Sequence, residues 1–397
     1  MRKIIFSLLI LCLFISSSFV VLGQREIIEK QTDDDHIEKI KGWMDNGHMP
    51  SLVAGIVKNN TLMRTVEIGY SHYYLKKKVT VNTVFPIASV TKSITATAMM
   101  QIIENESYNI SLDDNVSEYL PFDLKNPKFP WINITYRMLL SHQSSIGVVN
   151  TRCFLLFSFD LLPNEKLDEY FIPGGKYYTS QVWMDYPPGG NTYYSSLGIN
   201  VLGYLIERIT NRSYVDYCQK NIFAPLKMYN TSFYYSDFDR NQLVGQYFWM
   251  KGIYFRVPRI QPGGLAAGAI KSTISDLSHY MIMHTSGGVY DGVRILKNES
   301  VEEIHRAQYP NCYDGAYIHG FGWYMKTTRD GETYGGHGGN GQGCRAEMRM
   351  RYSDKTGVIY FWNQNSFFLM KWKKVREEEK KAPQEIEKIL FEMADEL

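Results

Sequence analysis

The sequence predicts a two-lobed α+β fold, in which an antiparallel sheet flanked by helices carries an inserted, mainly helical lobe. Strand-like segments lie near both ends of the chain, at residues 51–57 and 62–69 and again at residues 347–352 and 356–362. Between them, the apolar residues recur with a helical period. We see neither an internal repeat nor a low-complexity linker. One sheet must therefore be assembled from distant parts of the chain.

The order of these segments sets the expected domain organisation. The lobe that holds the sheet is predicted over residues 33–105 and 255–397, and the helical lobe over residues 106–254. Residues 1–23 form a separate targeting segment, so the folded domain is expected over residues 24–397. The chain is long enough for one large domain or two modest ones. The interleaving of strands and helices favours one domain with two lobes.

The first elements have clear start and stop signals. Three aspartates, Asp33 to Asp35, open a helix, because acidic groups in the first turn suit the helix dipole. Gly47 and Pro50 end it. The two following strands are joined by a turn at Asn59-Asn60. A further helix is expected from Ser89 to residue 103.

The middle and the end of the chain differ in the period at which apolar residues recur. Helices are predicted at residues 134–141, 200–209 and 214–223, then from about residue 272. The segment 147–188 has no clear period, and a connection of that length usually carries function or covers a site. Near the C-terminus, the two strands form a hairpin turned at Asp354-Lys355, and an amphipathic helix follows at residues 383–397.

Composition excludes several classes of function. The chain has 44% hydrophobic and 21% charged residues, as globular proteins do, and a formal net charge of +2. Such a balance suggests neither a nucleic-acid partner nor a membrane-surface partner. There is no His-Glu-x-x-His segment and no cysteine–histidine spacing typical of zinc sites. We therefore expect no metal and no cofactor.

The N-terminal segment indicates the secretory route. Arg2 and Lys3 precede an apolar run from residue 4 to residue 22, and Gly23 closes an acceptable cleavage site. The run is long for a signal peptide and close to the lower limit of a membrane span, so an uncleaved anchor is the alternative to a cleaved signal. We predict a secreted or lumenal protein with no other membrane segment.

Eight Asn-x-Ser/Thr sequons agree with that route and predict N-linked glycans. They are Asn59, Asn105, Asn109, Asn115, Asn133, Asn211, Asn230 and Asn298. Beyond the signal, four cysteines remain: Cys153, Cys218, Cys312 and Cys344. An even number in an oxidising compartment permits two disulfides, and buried free thiols are the alternative for at least one pair.

The candidate chemistry centres on Ser89 and Lys92. Residues three apart on a helix lie on the same face, about 5–6 Å apart at Cβ, so the amine can reach the serine hydroxyl. Serine is a weak nucleophile until a base activates it. The unpaired N–H groups at a helix start also favour an oxyanion at Ser89. By itself the pair is compatible with a helix cap beside a solvated lysine.

Two further segments could join this pair. Tyr194 could act as a general base or acid, because a nearby ammonium favours the phenolate. Residues 335–341 are rich in glycine around His337 and contain the pattern Gly-x-Gly-x-x-Gly. That pattern marks a dinucleotide site only where it opens a helix, whereas strand-like residues follow it here. We expect instead a strand edge that a substrate can approach closely and that offers an N–H near Asn340.

Together these segments resemble the three motifs of the serine β-lactamase-related family. That family includes class C β-lactamases, D-amino-acid-directed serine peptidases, related esterases and eukaryotic β-lactamase-like proteins. The motifs are Ser89-Val90-Thr91-Lys92, Tyr194-Ser195-Ser196 and His337-Gly338-Gly339. The stretch 139–145 also looks like the family's Leu-Leu-x-His-x-Ser-Gly segment. The resemblance extends from about residue 33 to residue 365 and implies a β-lactamase/transpeptidase-like fold.

The resemblance also implies roles for the residues. Ser89 is expected to be the acylated nucleophile, Lys92 and Tyr194 to share the proton transfers, and the N–H groups of Ser89 and Asn340 to form an oxyanion hole. A substrate-binding set is expected as well. It comprises Ser196, His337, Gly338, Gly339 and Asn340.

One departure from the family pattern affects the expected function. Ser196 stands where the family usually has asparagine, and its shorter side chain lacks the amide donor. The expected function is a secreted serine hydrolase acting on amide or ester bonds of a small substrate through an acyl-enzyme, as a peptidase or esterase rather than a true β-lactamase. The alternative is a catalytically weak or inactive relative that binds peptides or partners.

Overall fold

The computed structural model describes residues 34–147, 167–309, 318–365 and 377–397. By internal contact the chain divides into two units: one takes in the chain up to Gly47 and from Arg376 onward, and the other runs from His48 to Val375. The lobe boundaries predicted after residues 105 and 254 fall inside the second unit and stay a prediction.

The helices and strands follow in chain order. The helices are α1 (residues 34–46), α2 (Thr91–Ile103), α3 (Tyr136–Leu140), α4 (Asp168–Phe171), α5 (Ser196–Thr210), α6 (Tyr214–Cys218), α7 (Leu265–Gly268), α8 (Ile274–Thr285), α9 (Asn298–His305) and α10 (Glu377–Asp395). The strands are β1 (Ser51–Lys58), β2 (Thr61–His72), β3 (Lys77–Lys78), β4 (Phe85–Pro86), β5 (Tyr247–Met250), β6 (Ile253–Arg256), β7 (Lys271–Ser272), β8 (Val289–Tyr290), β9 (Val293–Arg294), β10 (Ile318–His319), β11 (Tyr324–Thr327), β12 (Thr333–Gly341), β13 (Cys344–Arg351) and β14 (Thr356–Trp362).

The predicted antiparallel sheet is confirmed. Its strand order is β10-β11-β12-β13-β14-β1-β2-β3, so β1 from the start of the chain lies between β14 and β2. Val53 faces Phe361 and Gly55 faces Ile359 across the β1–β14 pair. Every residue of β14 is buried, as expected for a central strand that is covered on both faces.

Helix α8 packs closely against this sheet because glycines lie beneath it. A Cβ atom at Gly55 would lie 2.8 Å from Ile274 Cγ2, and one at Gly357 would lie 2.5 Å from Met281 Cγ. Neither position leaves room for a side chain. The absence of side chains at these two points brings the helix onto β1 and β14.

Helix α2 is buried almost all round, as its composition requires. Its polar residues therefore need partners inside the protein. Ser93 Oγ donates to the Val90 carbonyl at 2.8 Å, and Thr95 Oγ1 donates to the Ala266 carbonyl at 2.6 Å. The first bond stays within the start of α2, and the second fixes α2 against α7.

The middle of the chain has the predicted helices, with shifted ends. Helix α5 begins four residues before the predicted start, because the Ser195 hydroxyl accepts from Gly198 N at 3.0 Å and caps it. The helix expected over residues 214–223 continues beyond α6 as a π-helical turn, Gln219–Phe223. The irregular segment 147–188 is described only at residue 147 and from residue 167, where it forms the short helix α4.

The first unit consists of α1 and α10 over its described residues. His36 Nδ1 lies 3.7 Å from the Glu396 carboxylate, which places the start of α1 beside the end of α10. In the described ranges, no helix combines the length and the apolar composition that a bilayer crossing needs. The N-terminal targeting segment lies outside the described residues.

Candidate active site

Ser89 lies on a short 3₁₀ turn, Ala88–Val90, between β4 and α2. The α-helix itself begins at Thr91, two residues later than expected. β4 pairs with β7, and Ile87 N donates to the Ile270 carbonyl at 3.0 Å. Ala88 has φ +45°, a left-handed conformation that costs energy for a residue with a Cβ. The turn is thus anchored to the segment 270–272, with local backbone strain directly before the serine.

The spacing of Ser89 and Lys92 brings their side chains together. Lys92 Nζ lies 3.0 Å from Ser89 Oγ and 2.5 Å from the Ala267 carbonyl oxygen. Ser89 is half-buried, so its hydroxyl remains accessible from outside. An amine at this distance can accept the hydroxyl proton, provided that the amine is neutral.

Burial of Lys92 in the protein interior favours the neutral amine. The Lys92 side chain is 0% exposed. Burial disfavours the charged ammonium and lowers the pKa of Lys92 to about 7. The cap and solvated-lysine alternative is thereby wrong for this residue.

Tyr194 lies beside the same amine. Lys92 Nζ is 5.0 Å from the centre of the Tyr194 ring. The tyrosine is held from behind by His142, whose ring centroid is 4.6 Å from that of Tyr194. Tyr193 N donates to the His142 carbonyl at 2.9 Å, and Ser195 N donates to His142 Nδ1 at 3.2 Å. One histidine thus fixes both backbone neighbours of Tyr194.

The bond from Ser195 N also sets the state of His142. Because Nδ1 accepts a hydrogen bond, the ring proton must lie on Nε2 and the ring must be neutral. Burial and the nearby His319, Lys92 and His337 lower the pKa of His142 well below its ordinary value. A charged imidazolium at this position would lose its contact with Ser195.

His337 completes the cluster on the opposite side. Its ring centroid lies 6.0 Å from that of Tyr194 and 5.3 Å from that of Tyr324. Nδ1 lies 2.7 Å from the Gly338 carbonyl, so it is the donor. Burial, with Lys92 next in effect, lowers the pKa of His337 well below its ordinary value. The imidazole of His337 is therefore neutral.

The glycine-rich segment lies in strand β12 and opens no helix, as expected. Residues 334–341 of β12 pair with β13, but β11 pairs with β12 only as far as Gly336. Within the described residues, the stretch 337–341 thus has no strand on its other side. Asn340 is exposed on this edge. A Cβ atom at Gly339 would lie 2.0 Å from the Ile87 carbonyl oxygen, which shows how closely the edge approaches the Ser89 turn.

Ser196 begins α5 directly after the tyrosine segment. Its carbonyl accepts from Asn200 Nδ2 at 2.9 Å. The two hydrogen-bond acceptors of the Lys92 amine in the described structure are Ser89 Oγ and the Ala267 carbonyl. Ser196 is not among them. No side chain from the start of α5 is therefore among the acceptors of this amine in the described residues.

Two contributors lay outside the predicted site residues. The sequence does point to His142, because this residue belongs to the stretch 139–145 that resembles the family. It points less clearly to the Ala267 carbonyl, which lies in the glycine-rich turn at residues 263–268. A backbone oxygen carries no residue-specific pattern, so its role becomes visible only in three dimensions.

Metal and thiol chemistry have little support here. In the described part of the chain, no group of three or more His, Cys, Asp or Glu residues is arranged to hold a metal ion.

Cys218 and Cys344 are buried free thiols, so the free-thiol alternative is confirmed for this pair. Burial raises the pKa of the Cys218 thiol to about 12, so it is not a nucleophile near neutral pH. Cys153 and Cys312 lie outside the described residues.

Comparison with known proteins agrees with this fold. The Dictyostelium discoideum protein called Beta-lactamase-like protein 2 is 29% identical over 289 residues, which cover 69% of this chain and 51% of that protein. This chain thus spans about half the length of that relative.

Two solved structures share the architecture. The octameric penicillin-binding protein homologue from Pyrococcus abyssi has a TM-score of 0.70 at 25% identity, over 83% of this chain and 73% of that chain. The D-amino acid amidase from Ochrobactrum anthropi SV3, solved with L-phenylalanine amide, has a TM-score of 0.71 at 19% identity, over 90% and 99%.

The family assignment follows from the match along the chain. The family model described as Beta-lactamase matches residues 36–378, which include Ser89, Lys92, Tyr194 and His337. The match covers most of α1, the whole eight-stranded sheet and the residues between its strands, and it ends at the start of α10. This chain belongs to the serine β-lactamase-related family.

Proposed function

We propose that this protein is a serine hydrolase that cleaves an amide or ester bond through an acyl-enzyme at Ser89. The observation that carries the proposal is the contact between Ser89 Oγ and a fully buried amine, 3.0 Å away, whose pKa is about 7. About half of such amines are neutral at pH 7 and can accept a proton. A surface lysine, with a pKa near 10.4, is almost entirely charged at that pH.

Acylation begins with attack of Ser89 Oγ on the substrate carbonyl carbon. The C–O bond forms, the hydroxyl proton passes to the Lys92 amine, and the carbonyl π electrons move onto the oxygen. The N–H groups of Ser89 and Asn340 are the proposed donors to that oxyanion, and one such donor contributes about 10²–10³ in rate. Gly338 and Gly339 belong to the stretch 337–341, which has no strand on its other side within the described residues, so that a substrate backbone can lie along this edge.

Collapse of the tetrahedral intermediate breaks the bond to the leaving nitrogen or oxygen. The leaving group takes up the proton that Lys92 received, with Tyr194 sharing the transfer. His142 holds Tyr194 in place for this step. In the second half-reaction, water attacks the acyl carbon, its proton passes to the same pair, and Ser89 Oγ leaves and is reprotonated.

The substrate class is proposed from the fold and the site together. One structural neighbour is named as a D-amino acid amidase and another as a penicillin-binding protein homologue. These names support a small peptide, amide or ester as substrate, so that the enzyme acts as a peptidase or esterase rather than a true β-lactamase. His337 in place of the commoner lysine removes a positive charge from the substrate edge.

We also propose a secretory location with N-linked glycans. Of the eight sequon asparagines, six are exposed, and Asn115 and Asn230 are half-buried. Surface positions of this kind are accessible to glycosylation. The targeting segment, cleaved or retained as an anchor, belongs to the same proposal.

A specific observation favours a second candidate, a weak or inactive relative that binds peptides or partners. Ser196 leaves the Lys92 amine without a side-chain partner from the start of α5. If the missing amide is essential, the cleft binds substrate but acylates slowly.

Labelling with a fluorophosphonate probe separates the two candidates. We expect the wild-type protein to be labelled between pH 7 and 9 and Ser89→Ala to remain unlabelled. Ser93→Ala is the matched control, because Ser93 lies on the same helix but is buried and bonded to the Val90 carbonyl. It should label like the wild type. Failure of the wild-type protein to label, with both phosphonate and penicillin-type probes, would support the binding candidate instead.

A further inference from the structure

Two hairpins that the proposed mechanism does not use lie side by side and form one surface. We call it the hairpin surface and define it as residues 70–78, around the turn from β2 to β3, and residues 247–259, around the β5–β6 hairpin. Tyr74 Oη donates to the Tyr254 carbonyl at 2.5 Å, and the ring centroids of Tyr73 and Tyr254 are 4.5 Å apart. These contacts join two segments that are distant in the chain.

Large apolar side chains are exposed on both hairpins. Leu75, in the turn after β2, is 77% exposed, and Ile253, which follows the turn between β5 and β6, is 53% exposed. Tyr74 and Phe255 are exposed beside them. Soluble proteins rarely leave large apolar side chains clustered in water unless the surface binds a partner. The hairpin surface is therefore a candidate binding surface.

The charges of the hairpin surface are all of one sign. Its two segments contain no aspartate or glutamate, and their basic residues are Lys76, Lys77, Lys78, Lys251, Arg256 and Arg259. The formal net charge of +2 for the whole chain does not reveal this local excess. Burial, followed by the charge of Arg256, lowers the pKa of Arg259 below its ordinary value. A partner that fits this surface must carry negative charge.

The combination of apolar and basic groups distinguishes between the kinds of partner. A second copy of the same surface would bring like charges together. A soluble polyanion would neutralise the lysines but would leave Leu75 and Ile253 in water. An anionic bilayer satisfies both groups, because its headgroups attract basic side chains and its acyl boundary accepts apolar ones. Tyrosine rings suit the interface between the two layers.

We propose that the hairpin surface binds an anionic phospholipid membrane, with Leu75 and Ile253 inserted and the basic side chains on the headgroups. The base of the β5–β6 hairpin lies against the turn that follows β12, because Tyr247 N donates to the Gly343 carbonyl at 3.1 Å. A strand of four residues, such as β5, spans about 13 Å. Binding would thus hold the end of β12 close to the bilayer. It does not depend on the chemistry at Ser89.

Sedimentation with vesicles measures this binding. The full-length protein is mixed with vesicles of phosphatidylcholine, with or without about 30% phosphatidylserine, at neutral pH and low salt. We expect at least about tenfold tighter binding to the anionic vesicles and loss of that preference at about 1 M salt, because salt screens exposed charges. Both vesicle types have the same hydrocarbon core, so the ratio of the two affinities excludes the contribution of the apolar run at residues 4–22.

Lys251→Glu tests the charges. It should weaken binding to the anionic vesicles by at least about fivefold, which is the contribution of one basic residue near such a surface. Lys355→Glu is the matched control, because Lys355 is also exposed, has a similar positive φ and lies in a hairpin turn. That turn joins β13 to β14 at the end opposite to Gly343. The control should bind like the wild type.

Leu75→Ser tests the apolar contact and should weaken binding to the anionic vesicles by at least about fivefold. Tyr229→Ser is its control, because Tyr229 is also 77% exposed but lies outside both hairpins. Equal binding of the wild-type protein to the two vesicle types overturns the proposal, whether or not the variants fold. Wild-type binding by Lys251→Glu or by Leu75→Ser overturns it as well. Binding to dextran sulfate without binding to vesicles would assign the surface to a soluble polyanion instead.

Discussion

At the residue scale, the central feature is an amine that the fold keeps out of water. Ser89 and Lys92 are three positions apart, and this spacing predicts a contact between their side chains. The structure has that contact. The pKa of Lys92 could not be predicted in the same way, because it depends on burial by segments that are distant in the chain. The carbonyl that receives its hydrogen bond comes from Ala267, 175 positions later.

The pKa of Lys92 makes a direct prediction for the pH dependence. The neutral amine is the active form, so acylation should rise with pH through an apparent pKa of about 7 and fall about tenfold per unit below it. Lys92→Arg replaces the base by a group that stays charged and should lower kcat/KM by at least about 10². The measurement is kcat/KM for an ester substrate between about pH 5 and pH 11, corrected for the rate of hydrolysis in buffer. A flat profile, or an inflection near the ordinary lysine value, contradicts the role of Lys92.

His142 shows the limit of the sequence at this scale. Its segment has a family pattern, but its bonds to Tyr193 and Ser195 became visible only in the structure.

At the element scale, strand β12 determines how closely a substrate edge can approach the nucleophile. The sequence predicted this strand from its glycines and from the alternation that follows. It could not show that Gly339 lies against Ile87, because the approach of β12 to the Ser89 turn depends on the whole sheet.

Gly339→Ala tests that approach. Its Cβ would lie 2.0 Å from a backbone oxygen, so the strand or the Ser89 turn must move. Because a displacement of about 1 Å can cost 10²-fold in rate, we expect a loss of at least that size in kcat. Gly341→Ala is the control on the same strand: its nearest atom would be at 3.3 Å, and we expect a change within about fivefold. Equal activity of the two variants would show that the strand edge has no such role.

At the scale of the whole molecule, the fold class was predictable and the polar interior was not. Strand patterns near both ends of the chain predict a single sheet, although they do not predict the order of its strands. The position of β1 between β14 and β2 follows from register and packing, which single segments do not reveal. The same holds for the buried histidines, which stand in helices and strands that look unremarkable in sequence.

These histidines predict acid instability. Burial lowers the pKa of His305 to about 3 and that of its neighbour His284, with a ring centroid 5.0 Å away, well below the ordinary value. Unfolded histidine binds a proton below about pH 6.5, so the unfolded state holds more protons between pH 6.5 and about 3. The free energy of unfolding should therefore fall with decreasing pH in that window, by up to about 1.4 kcal/mol per unit for each such histidine.

His305→Phe should reduce that slope by about the contribution of one histidine. Urea unfolding at several pH values between 6.5 and 4 measures it. An unchanged slope in the variant would assign the acid instability to other groups.

The acyl-enzyme itself is the most direct test of the central claim. The protein is mixed with an activated ester, quenched in acid during turnover, digested and analysed by mass spectrometry. We predict an acyl adduct on the peptide that contains Ser89, formed faster at pH 8 than at pH 6 and absent from Ser89→Ala. Turnover of the ester with no adduct at Ser89, or with the adduct on another residue, would contradict the account.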